Sequence, residues 1–186
     1  MQKLPILAIG MAALVGLWVA SISVAAADDN SNNPDIALVD NCDPATFNAV
    51  IPGACATTKN RHTTTFAEFA SLLFSPLAVN VIGHPGWNFS PGQISVSSGK
   101  TVRVKNEGGE GHTFTEVSDF GGGFVPPLNG VGGPSGTMPL LEAGGCMAPP
   151  DVILPGNAVK VTGLSKGVHK FQCCIHPWMR SVVTVE

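Results

Sequence analysis

The chain has 186 residues, of which 12% are charged, and its net charge is −3. A nucleic-acid partner would want a basic face, which this balance does not supply. With 22 Gly, 15 Pro and no Tyr, the composition excludes long helices as the main architecture and favours a turn-rich β protein with a sizeable core.

Residues 1–27 read as an export signal. Lys3 precedes 24 uncharged residues, Leu4 to Ala27, and Asp28 and Asp29 follow. Ala25 and Ala27 give the small-x-small pattern of a signal-peptidase site, which places cleavage after Ala27. An uncleaved anchor is the alternative, since the apolar run is long enough to span a bilayer, although Ser21 and Ser23 weaken its membrane end. The chain is therefore expected in the periplasm or outside the cell, touching the membrane only if the segment is retained. Cleavage removes Lys3 and no acid, so the mature charge becomes −4. Export also means an oxidising compartment, where disulfides persist. All five cysteines, Cys42, Cys55, Cys146, Cys173 and Cys174, lie beyond the cut. An odd count asks what the remaining thiol does.

Residues 28–80 are expected to be an N-terminal extension. The polar stretch 28–41 reads as a flexible leader, and "CDPATFNAVIPGAC" as a short loop closed by a Cys42–Cys55 disulfide. "TTTFAEFASLLF", Thr63 to Phe74, reads as a short amphipathic helix. A Thr precedes Glu68, and Phe66, Phe69, Leu72 and Leu73 share a face.

From Val81 the pattern changes to strands. Ile94 and Val96 alternate with polar neighbours, then Val102 and Val104 do so after "SSG". "HTFTEV", "NAVKVTGL", "GVHKFQC" and "SVVTVE" are further strand-like runs, which together predict an antiparallel sandwich or barrel over residues 81–186. The exception is Ser118 to Gly156, where 17 of 39 residues are Gly or Pro. It reads as a long loop, with Cys146 as a staple within it.

"FQCCIHPWMR" holds the chemistry. Cys173 and His176 stand as C-x-x-H, and Met179 follows three residues later. A thiolate, an imidazole and a thioether on one loop form a soft set suited to copper, and a second His would complete a blue-copper site. His112, opening a strand after "NEGGEG", is the candidate. Either adjacent cysteine offers a thiol. Strand alternation places His169, Phe171 and Cys173 on one face. His169 lies four strand steps from Cys173, ~13 Å, too far to share a metal. His84 reads as a turn residue, His62 lies outside the motif, and Met138 and Met147 read as loop packing.

"GHTFTEV" followed by "FQCCIHPWM" resembles the small blue copper proteins, the plastocyanin–azurin family of cupredoxins, over roughly Trp87 to Glu186. The resemblance implies an all-β, cupredoxin-like Greek-key β-sandwich of eight strands. It implies one copper ion per chain held by His112, Cys173, His176 and Met179, with Cys173 rather than Cys174 as the thiolate. Cys174 is then left to pair with Cys146. The implied function is single-electron transfer between redox protein partners by transient docking, without catalysis. Pro177 and Trp178 are candidates for an apolar rim beside His176, with core packing the equal alternative for Trp178. A copper-binding or delivery protein with no redox duty is the second reading. Three methionines after the cut, none of them clustered, fit it less well. A multi-copper enzyme would need histidine-rich centres, and the sequence has five His and no His-x-His pair. The intact ligand set argues against a sandwich that has lost its metal.

Overall fold

A computed structural model describes residues 25–26, 35–59, 63–73, 83–121, 123, 125, 128, 140–141 and 152–186. The expected export signal lies outside these residues apart from Ala25–Ala26, as do His62, Met138, Cys146 and Met147. Among the described residues no helix is long and apolar enough to cross a membrane.

Alternation of apolar and polar side chains builds the strands. Two short strands, β1 (Ala25–Ala26) and β2 (Ile36–Val39), come first. Helices α1 (Pro44–Val50) and α2 (Phe66–Leu73) follow. Strands β3 (Asn88–Ser90), β4 (Gln93–Val96) and β5 (Val102–Asn106) lead into β6 (His112–Thr113) and β7 (Thr115–Asp119). Then come β8 (Leu140–Leu141), β9 (Val152–Ile153), β10 (Ala158–Val161), β11 (Gly167–Gln172) and β12 (Arg180–Val185). One sheet runs β1-β4-β12-β11-β7-β8, a second β10-β5-β2-β3, and β6 pairs with β9 alone. Ile36, Leu38, Ile94, Val102, Val104, Phe114, Phe171 and Val183 belong to one buried core. Phe114 and Phe171 stack with ring centroids 4.3 Å apart. The architecture is a β-sandwich.

Three features differ from the sequence reading. The sandwich is mixed, since β2 lies parallel to β5 and β4 parallel to β12. Residues 28–41 read as a leader, yet Ile36–Val39 lies between β5 and β3 with Ile36 and Leu38 fully buried. Four residues among Asp and Asn are too short a run to show a period. The loop expected over 118–156 also contains the end of β7, β8 and β9, because two-residue strands carry no alternation to read.

Both helices begin on legible signals. Asp43 caps α1 by accepting from the Thr46 amide at 3.0 Å, and Pro44 occupies the first turn. Thr65 and Glu68 form a capping box on α2: the Thr65 amide donates to Glu68 Oε2 at 2.8 Å and the Glu68 amide to Thr65 Oγ1 at 3.2 Å. The two helices meet through Phe47, whose ring lies 5.3 Å from Phe66 and 5.5 Å from Phe69.

Candidate metal centre

Strand β11 grows more buried along its length, from exposed Gly167 and Val168 to buried Phe171 and Gln172. It therefore delivers Cys173 into the interior at the end of the sandwich. The turn from Cys173 to Met179 is closed by two main-chain bonds. The Cys173 amide donates to the Met179 carbonyl at 3.0 Å, and the Met179 amide to the His176 carbonyl at 2.9 Å. Pairing of Gln172 with Arg180 fixes the register below them. On the facing side, β6 is held by β9, with His112 opposite Ile153.

The structure brings His112, Cys173 and His176 together: one donor atom from each lies within 4.8 Å of the others. Cys173 Sγ is 3.8 Å from His112 Nδ1 and 3.9 Å from His176 Nδ1. Cys173 and His112 are fully buried and His176 is 3% exposed. A first-row metal about 2.3 Å from sulfur and about 2.0 Å from each nitrogen, in a trigonal array, would set those atoms about 3.7 Å apart. The donors fit such an ion with little movement. Met179 is fully buried in the same core cluster as Cys173.

Charge at the site favours a thiolate. The amides of Thr113 and His176 both point at Cys173 Sγ from 3.4 Å. Burial opposes ionisation of Cys173, but His112 and His176 outweigh it and hold the thiol well below its usual range. Burial likewise opposes charge on His112, yet Asp40 and the Cys173 sulfur raise it to about 10 in the metal-free protein.

Two carboxylates reach the outer edges of the imidazoles. Asp40 Oδ2 lies 2.8 Å from His112 Nε2, with both side chains fully buried. Burial pushes the Asp40 carboxyl up, but His112 and the amides of Glu110 and Gly109 outweigh it and bring it to about 2. Glu110 Oε2 lies 3.6 Å from His176 Nε2 and accepts a hydrogen bond from Trp87 Nε1. The sequence reading missed Asp40 and Glu110. Glu110 stands two residues before His112, a visible clue, whereas nothing local marks Asp40.

Other expected residues fall as follows. Cys42 and Cys55 form a disulfide. Among the described residues Cys173 is the free thiol and Cys174 is disulfide-bonded; Cys146, its expected partner, lies outside the described residues. His169 turns away from the site, with Nδ1 2.6 Å from Glu116 and Nε2 2.8 Å from the Ser165 carbonyl. His84 is in the turn before β3, packed 4.6 Å from the Trp87 ring.

Pro177 and Trp178 do not form an exposed rim, because both are buried. Trp178 lies against Gly83, where a Cβ would fall 1.9 Å from the indole Cγ. Phe69 of α2 lies 6.3 Å from the His176 ring and 6.4 Å from Trp178. The segment before the predicted domain therefore covers the His176 edge.

A β-sandwich that gathers one thiol and two imidazoles at the end of β11 and on β6 has the donor layout of a mononuclear centre for a soft first-row metal. Among solved structures, the chain is similar to a purple cupredoxin from Nitrosopumilus maritimus, with 20% identity and a TM-score of 0.39, covering 57% of this chain and 95% of that one. It is similar to amicyanin from Paracoccus versutus, with 21% identity and a TM-score of 0.36, covering 62% and 88%. It is also similar to a copper-containing nitrite reductase from Thermus scotoductus, at 17% identity and a TM-score of 0.34, covering 62% of this chain and 26% of that one. No protein-family model and no curated protein matches the chain.

Proposed function

We propose that this chain is an exported mononuclear blue copper protein that carries single electrons between redox partners and catalyses no reaction of its own. The observation that carries this reading is the convergence of His112 Nδ1, Cys173 Sγ and His176 Nδ1, all buried. The sulfur selects soft metals and the two imidazoles suit copper in either oxidation state. Copper held there would supply a Cu(I)/Cu(II) couple.

The chain's own residues do the rest. Cys173 binds as thiolate, its charge held by the Thr113 and His176 amides. His112 and His176 would bind copper through neutral Nδ1, with Met179, buried in the same core, as the further candidate ligand. Because Cys173, His176 and Met179 are tied by backbone bonds within one turn, the donors stay in place whichever charge the site carries. Phe69, Trp87 and Trp178 ring His176 and exclude water from it. A partner docked briefly over this aromatic layer would exchange the electron with the copper, as small redox interfaces allow. Export agrees with the disulfide bonding of Cys42, Cys55 and Cys174.

The test is an optical and EPR spectrum of the protein with one equivalent of Cu(II). Intense thiolate-to-copper absorption, a narrow copper hyperfine splitting and reversible bleaching by a reductant are expected, and Cys173→Ser should abolish the colour. A pale, ordinary Cu(II) spectrum would overturn electron transfer in favour of copper binding or delivery. Colour that survives Cys173→Ser and is lost in Cys174→Ser would overturn the ligand assignment.

A further inference from the structure

An imidazole offers a metal one nitrogen only when its proton sits on the other, and the neighbour of that second nitrogen decides where the proton goes. Both histidines here have a carboxylate behind the ring, one hydrogen-bonded to His112 and the other at a longer approach to His176. Asp40 stands 2.8 Å from His112 Nε2, and Glu110 3.6 Å from His176 Nε2, while both Nδ1 atoms face Cys173. We propose that Asp40 is a positioning residue that fixes the Nε2–H form of His112, and that Asp40 and Glu110 together place negative charge behind the two imidazoles that lowers the site's reduction potential. This rests on the copper reading above.

Asp40 is built to stay where it is. Its Oδ1 accepts from the amides of Gly109 at 2.9 Å and Cys42 at 3.3 Å, and its Oδ2 from Glu110 at 3.0 Å. The turn around it has no room for change, since a Cβ on Gly108 would fall 1.8 Å from Asp40 Oδ2. Asn106 pins that turn from below. Its Nδ2 donates to the carbonyls of Glu110 at 2.7 Å and Ile153 at 2.8 Å, and its Oδ1 accepts from Gly108 at 2.9 Å. An ionised carboxylate can only accept, so His112 Nε2 must carry the proton. Glu110 is anchored by Trp87 Nε1, which turns its carboxylate toward His176.

The pair links three parts of the chain. Asp40 follows β2, Glu110 lies in the turn after β5, and both histidines belong to the ligand set. Fixed anions outside the ligands favour the more positive oxidation state. At an effective dielectric near 20, one unit charge some 7 Å from a metal shifts the oxidised-to-reduced ratio by at least tenfold.

The experiment compares wild type with Asp40→Asn and Glu110→Gln, both close in shape to the originals. In metal-free protein at a pH above the raised His112 value of about 10, where the ring is neutral, nitrogen-15 NMR should show a single Nε2–H form of His112 in the wild type and a loss of that preference in Asp40→Asn. In copper-loaded protein of unchanged stoichiometry, each variant should shift the Cu(I)/Cu(II) ratio at fixed poise toward Cu(I), by roughly tenfold or more for Asp40→Asn. Unchanged His112 NMR together with an unchanged ratio would overturn the proposal. If Asp40→Asn does not fold, the wild-type NMR judges the Nε2–H form of His112 and Glu110→Gln judges the charge: its ratio must move. A wild type that takes up no copper would instead sink the functional reading, and the metal-free NMR would still judge the positioning.

Discussion

Replacing Phe69 by Ala removes the side chain through which α2 covers the metal centre. The Phe69 ring is 7% exposed and lies 4.6 Å from Trp87, 5.5 Å from Phe47 and 5.5 Å from His84. Truncating a buried Phe costs about 3–5 kcal/mol, through lost burial and the cavity left behind. Phe69 lies at the margin of the core, so about 3 kcal/mol is expected, or a fall in Tm of roughly 10 °C for a chain of this size. Equilibrium urea unfolding with the slope held common to both proteins measures it directly. No ligand is touched, so the copper-loaded variant should keep its thiolate absorption. A loss below about 1 kcal/mol would refute the reasoning, since the helix would then rest on the sandwich without being packed into it.

Two further outcomes are expected. Gly83→Ala places a methyl 1.9 Å from the Trp178 ring at a residue with φ of 69°, so either the indole or the backbone must move. A loss of about 2 kcal/mol or more and a changed tryptophan emission are expected, and a variant that melts with the wild type would contradict the close approach. The metal-free protein should lose stability in acid through Asp40. Its carboxyl is held at about 2 against an ordinary 3.8, so folding favours the ionised form. The contribution is full above pH 3.8 and is lost as pH falls toward 2. It amounts to about 2 kcal/mol. Unfolding free energies of wild type and Asp40→Asn measured from pH 6 to pH 2 should converge at the acid end; parallel profiles would contradict the assignment.

Much of the sandwich was legible because period-two alternation survives in β4, β5, β7 and β12, where one face is buried. The thiolate and the loop histidine were legible because their types and spacing are fixed by a single turn. His112 could be picked out because it opens a strand after a glycine-rich turn. What escaped was made by distance along the chain. Strand β2 is defined by β5 and β3, not by its own four residues. Asp40 earns its role from amides and an imidazole some 70 positions away, and no local pattern announces that. Trp178 reads equally as rim or core until Gly83 and Phe69 are brought against it.

The two halves of the donor set come into being at different moments of folding. Cys173 and His176 are three residues apart, and a single turn between β11 and β12 unites them, a local event on the microsecond scale of hairpins. His112 reaches Cys173 across 61 residues, and Asp40 reaches His112 across 72. Those contacts wait on the closure of long loops and on the parallel pairing of β2 with β5, which is slow. A chain still finding its fold thus shows a passing ion only a thiol, an imidazole and a thioether. The fourth partner, and the carboxylate behind it, arrive when β2 has paired with β5, so tight occupancy of the centre would report that folding is complete.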